Sequence, residues 1–205
     1  MNNFAKNVFV NCPFDKDYRQ LLIPVVFTVK YFGYFPRLAS ERADSGETRI
    51  EKILELINVS KFGIHDLSRM VSSDKDEHFR MNMPFELGID YGCKKLKEGV
   101  WREKKILIID KERFRFQKAL SDLSGSDIKN HNDEPVKIVG KVRDWFVTEE
   151  LKTGDSGNKV WSAFNDFQAY LYDKVVLEDG HKSVDDVLIS EIIHHITAWL
   201  ELRAR

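Results

Sequence analysis

Short apolar runs alternate with amphipathic segments through residues 1–150. Val8-Phe9-Val10 reads as the end of a buried first strand. It stops at Asn11-Cys12-Pro13-Phe14-Asp15, because a proline forces the residue before it into an extended or turning path. Leu21, Leu22, Val25, Val26 and Val29 recur at helical spacing and predict a helix over 17–32. Gly33 is its expected left-handed stop, and Pro24 inside it implies a kink or a later start. Residues 34–38 read as a short second strand, followed by a polar loop over 40–47. Thr48 with Glu51 three positions on forms a capping box, and Ile50, Ile53, Leu54 and Ile57 make the apolar stripe of the next helix.

A third strand is expected over 61–65, ending at Asp66-Leu67-Ser68. A polar loop, Arg69 to Arg80, then leads to a helix from about Asn82 to Lys97. Ile106-Leu107-Ile108-Ile109 inside 104–110 is apolar on both faces, as a strand of a parallel sheet is. Residues 111–132 leave room for a fifth short strand or an extra helix, and Pro135 opens a helix through Val142 and Trp145. Strands alternating with helices predict an α/β doubly wound parallel sheet. Beyond it, 152–159 reads as a flexible linker and 160–172 and 183–202 as helices. Val184, Leu188, Ile192, Ile196 and Trp199 share one face of the second. Residues 151–205 are thus expected to be a linker and C-terminal helical extension, packed on the main domain or on a neighbouring subunit.

Composition narrows the function. Of 205 residues, 42% are apolar and 32% charged, too apolar for disorder, and the net charge of −1 argues against nucleic acid as a partner. Cys12 and Cys93 form no disulfide framework, which fits reduced thiols in a cytoplasmic protein. No leader-like apolar run opens the chain, and the stretch Leu21 to Val29 is too short to span a bilayer, so no membrane partner is expected. His194 and His195 are adjacent and on a helix point apart, and the other histidines are scattered, so no metal site is implied; no cofactor is expected either. Arg113-Phe114-Arg115-Phe116-Gln117-Lys118 reads as an element with alternating faces. Residues 154–159 lack the GxxxxGK[ST] of a phosphate loop. Cys93 shares a helical face with Phe85, Ile89 and Leu96 and reads as core.

In such a fold, ligands bind beyond the carboxyl ends of the strands. Four segments should converge there: Asn11, Phe14 and Asp15; Arg37, Glu41, Arg42 and Asp44; Asp66 and Ser68; Asn82 and Glu86. Glu86 is singled out by Met83-Pro84-Phe85-Glu86-Leu87-Gly88. At a helix start the dipole favours its anion while apolar neighbours limit its solvation. That combination suits a nucleophile or a stabiliser of a sugar cation, and it equally suits an ordinary N-terminal helix acid. Asp66 is open in the same way. It could bind a ligand and pair with Glu86 for acid/base work, or it could cap the next turn.

The order Val8-Phe9-Val10-Asn11-Cys12-Pro13-Phe14, Asp66-Leu67-Ser68 and Asn82-Met83-Pro84-Phe85-Glu86-Leu87-Gly88 resembles the nucleoside 2-deoxyribosyltransferase superfamily, whose relatives include TIR-type NAD-cleaving domains. The resemblance implies a flavodoxin-like layout over residues 6–146, with Glu86 as catalytic glutamate and Asp66 as the sugar or base contact. Asn11 and Phe14 would line the base pocket. Asn11-Cys12-Pro13 replaces the glycine-containing first loop of the transferases. N-glycoside hydrolysis, transfer, nucleotide sensing without turnover and TIR-like oligomerisation therefore all remain open. The implied partner is a nucleoside, a nucleotide or NAD, in a homo-oligomer, and the implied role is an effector in bacterial anti-phage defence.

Overall fold

The computed structural model describes residues 3–70 and 81–204. Its strands are β1 (Asn7–Asn11), β2 (Phe35–Arg37), β3 (Phe62–Asp66), β4 (Lys105–Asp110) and β5 (Lys129–Asn130). The helices are α1 (Arg19–Tyr31), α2 (Arg49–Asn58), α3 (Asn82–Leu96), α4 (Pro135–Phe146), α5 (Gly157–Tyr172) and α6 (Ile189–Arg203). The five strands form one parallel sheet in the order β2-β1-β3-β4-β5. This is the flavodoxin-like doubly wound α/β fold. Every residue of β1 and β3 is buried, as strands inside a parallel sheet are.

The chain divides into two compact units, Met1–Pro13 with Phe35–Glu134 and Phe14–Tyr34 with Pro135–Arg205. In the first, Phe9, Ala39, Ile53, Leu56 and Ile57 form a core against which Ile89 and Cys93 pack. Phe85 and Leu96, expected on the same face as Cys93, are exposed at the two ends of α3. A second cluster joins Leu67, Met70, Met83, Leu87, Ile108 and Phe116. The capping box of α2 is present: the Thr48 amide donates to Glu51 Oε2 at 2.9 Å and the Glu51 amide to Thr48 Oγ1 at 3.3 Å. The polar loop expected over Arg69 to Arg80 lies, from residue 71 on, outside the described residues.

The second unit is helical. Phe27 of α1 meets Phe164 and Phe167 of α5 and Trp199 of α6, with ring centroids 5.3, 5.4 and 5.7 Å away. α1 starts at Arg19, later than its apolar spacing predicts, because Asp15 caps a separate 3-10 turn at Lys16–Tyr18. Gly33, at φ +78°, ends the helix as expected. Residues 152–159 are not a loose linker. Arg143 donates to the carbonyls of Asp155 (2.7 Å) and Gly154 (2.9 Å), and the Tyr31 hydroxyl donates to Asp155 Oδ2 at 2.7 Å. Long-range partners hold a segment whose composition alone reads as free. Among the described residues, no helix is long and apolar enough to cross a membrane.

Candidate active site

The strand order reverses between β1 and β3, and the carboxyl ends of these strands are Asn11 and Asp66. Asn11 pairs in register with His65. Because successive strand side chains point to opposite faces, His65 and Asp66 face opposite sides of the sheet. His65 faces α3.

Glu86 stands one turn into α3. Pro84 is tolerated there because first-turn amides have no partner within the helix. Glu86 is only 3% exposed, whereas its neighbour Phe85 is 60% exposed. Its desolvation therefore comes from tertiary packing rather than from its sequence neighbours. Burial pushes the carboxyl up to about 7, and Arg49 Nη2, 3.8 Å from Oε1, offsets this only in part. Near neutral pH the group is divided between its acid and its carboxylate, the condition for acid/base or nucleophilic work.

A buried polar thread runs beside it. The Asn11 amide nitrogen donates to the Met83 carbonyl at 2.9 Å and to His65 Nδ1 at 3.0 Å. The Met83 carbonyl can only accept, which fixes the amide's orientation, and Nδ1 must then carry a lone pair. The His65 proton sits on Nε2 and is donated to Asp90 Oδ2 at 2.9 Å. Lys104 Nζ pairs with Asp90 Oδ1 at 3.0 Å and donates to the carbonyls of Ile57 (2.9 Å) and Ser60. His65, Asp90 and Lys104 are fully buried. Burial alone would push the Asp90 carboxyl up; the hydrogen bond from His65, then the charge and hydrogen bond of Lys104, outweigh it and hold the group below its ordinary value. Gly63 makes room for this thread, since a Cβ there would stand 2.2 Å from Asp90 Oδ2.

Asp66 and Ser68 belong to a different group. Asp66 Oδ1 accepts from the Ser68 amide at 2.7 Å and from its hydroxyl, and Oδ2 lies 3.1 Å from His131 Nε2. Ser68 Oγ is 2.9 Å from the same Nε2. Ser, His and Asp meet here without forming a nucleophilic triad. The Asp133 amide donates to His131 Nδ1 at 3.0 Å, so Nε2 carries the proton and cannot take one from Ser68. Arg115 adds bonds to the carbonyls of Leu67 and Ser68 and to Asp110. Of the two readings open for Asp66, this geometry supplies the turn cap; the acid does not share the face on which Glu86 stands.

The other expected residues divide further. Arg37 is held by Glu41 in a two-pronged ion pair, Nε to Oε2 at 3.0 Å and Nη2 to Oε1 at 2.6 Å. Arg42 pairs with Glu47 and Glu55, and Asp44 accepts from the Gly46 amide. Asn82 is exposed at the first residue of α3. Phe14 and Asp15 belong to the second unit, where Asp15 caps a turn by accepting from the Tyr18 amide at 2.9 Å. Arg49, His65, Asp90, Lys104 and His131 stand in no motif of the chain. Only Asp90 carried a signal, its spacing of four from Glu86, which places both acids on one helical face. Among the described residues, no group of three or more His, Cys, Asp or Glu could hold a metal ion. Comparison with protein-family models, curated proteins and solved structures finds no match.

Proposed function

We propose that the protein breaks the N-glycosidic bond of a nucleoside, a nucleotide or NAD, with Glu86 acting at the anomeric carbon. The observation that carries this reading is Glu86 itself: an enclosed carboxyl raised to about 7 beside the strand-order reversal of a doubly wound sheet. The resemblance of the Met83–Gly88 segment to the deoxyribosyltransferases supports it. The Glu86 carboxylate attacks C1′ or stabilises the positive charge that develops there as the C1′–N bond breaks and its electron pair leaves with the base. Water then forms the new C1′–O bond; where Glu86 has bonded to C1′, that C1′–Oε bond breaks and its electron pair returns to the carboxylate. For a neutral base, one hydrogen of that water stays on the new hydroxyl and the other ends on the base nitrogen; for NAD, whose nicotinamide leaves uncharged, the second is released to solvent as a proton. A second base in place of water gives transfer.

The test is chromatography of NAD, nucleosides and deoxynucleotides after incubation with the protein. Wild type releases free base, and Glu86→Gln slows release by about 100-fold or more, the scale of a lost acid/base or nucleophilic group. Equal rates would remove Glu86 from the mechanism.

A further inference from the structure

Asn11 has one polar atom left over. Its amide nitrogen is used twice, by Met83 O and His65 Nδ1, while Oδ1 is buried and, among the described residues, has no hydrogen-bond partner. Its orientation is imposed from a distance. Lys104 keeps a charge partner on Asp90, Asp90 requires the His65 proton on Nε2, and the bare Nδ1 in turn requires an N–H from Asn11. Turning the amide over would set Oδ1 against a lone pair and a carbonyl. The thread thus presents an acceptor at the carboxyl end of β1, and a buried acceptor without a donor is unfavourable until one arrives.

Asn11 is bonded to the turn of α3 that carries Glu86, since Met83 and Glu86 lie three positions apart on one helical face. We propose that Asn11 Oδ1 accepts the 2′-hydroxyl of a ribonucleoside or ribonucleotide, with His65 as the positioning residue that fixes the amide. This rests on the reading of Glu86, which sets C1′ as the neighbouring atom. Of the groups around C1′, the ring oxygen can only accept and the base is the leaving group. The 2′-hydroxyl is the nearest sugar donor. The site therefore favours ribose over 2′-deoxyribose. Asn11 and Glu86 are both enclosed, so substrate reaches either only as the side chains over them give way.

The experiment compares the common ribonucleosides and NAD with their 2′-deoxy counterparts, as kcat/KM and as thermal shift. Wild type favours the ribose form by about tenfold, the scale of one hydrogen bond. In Asn11→Leu the preference falls to about one. In His65→Phe it falls likewise, the loss falling more on the ribose substrate than on its deoxy counterpart, whereas a merely structural loss would lower both alike. Asn11→Ser, too short to reach, replaces Asn11→Leu if that variant does not fold. Cleavage with an undiminished ribose preference in the Asn11 variants overturns this proposal alone. So does a wild-type preference for the deoxy form. If nothing is cleaved but ribose ligands stabilise wild type and not Asn11→Leu, the acceptor role stands and the hydrolytic reading falls. Neither cleavage nor stabilisation with any member of the set overturns both.

Discussion

Arg49 Nη2 lies 3.8 Å from Glu86 Oε1, joining a half-exposed cation to an enclosed acid. The cation lowers the Glu86 carboxyl and burial, the larger effect, raises it to about 7. Since Glu86 acts as carboxylate, kcat/KM rises with pH through about 7. Arg49→Ala removes the lowering influence, so the rising limb moves to higher pH. A pH–rate profile of both proteins checks this, and an unmoved limb would show that Arg49 does not act on Glu86.

The same shift bears on stability. Glu86 has its ordinary value, 4.5, when unfolded and about 7 when folded. Between these the folded chain binds more protons, so stability falls as pH rises through this window and the penalty is complete above it. Glu86→Gln escapes the penalty. It is expected to be more stable than wild type at pH 8 by on the order of 2–3 kcal/mol, with the gap closing toward pH 4.5. Denaturant melts at the two pH values measure it.

Gly63→Ala places a methyl group 2.2 Å from Asp90 Oδ2 and 3.0 Å from His65 Nε2. The neighbours are fully buried and partnered, so they cannot swing aside. A loss of about 3–5 kcal/mol is expected, the scale of breaking a buried ion pair. Urea unfolding with an unchanged midpoint would contradict the packing described at Gly63.

Ser68→Ala separates turn from chemistry. It removes the hydroxyl bond to Asp66 and the contact with His131, costing about 1–3 kcal/mol for buried polar groups left unpaired. Base release, measured below the melting range, is expected to stay within about twofold of wild type, since only a loss near the 100-fold scale of a lost catalytic group would make Ser68 chemical.

Much of the fold was legible in the chain. Val8-Phe9-Val10 and Ile106-Leu107-Ile108-Ile109 are apolar without alternation because β1 and β4 lie within a parallel sheet. The Thr48–Glu51 box and Gly33 act over a few residues and carry their signal locally. β5 spans only Lys129–Asn130, too short for any periodicity. Lys104 opens an apolar run and looks like a solvated flank; carbonyls from Ile57 and Ser60, far off in sequence, draw it inside. Glu86 was visible as a motif, yet its burial was not, since the exposed Phe85 contributes little to it. Adjacent strand residues point apart, so His65 and Asp66 could not both face α3. Which one does depends on Asp90, a partner 25 positions from His65.

The most direct measurement is the rate of base release from NAD and nucleosides across pH 5–9 for wild type and Glu86→Gln. The account predicts release by wild type that rises through about pH 7, and a flat profile, reduced by about 100-fold or more, for Glu86→Gln. Equal rates in the two proteins, or the same rising limb in both, would contradict it.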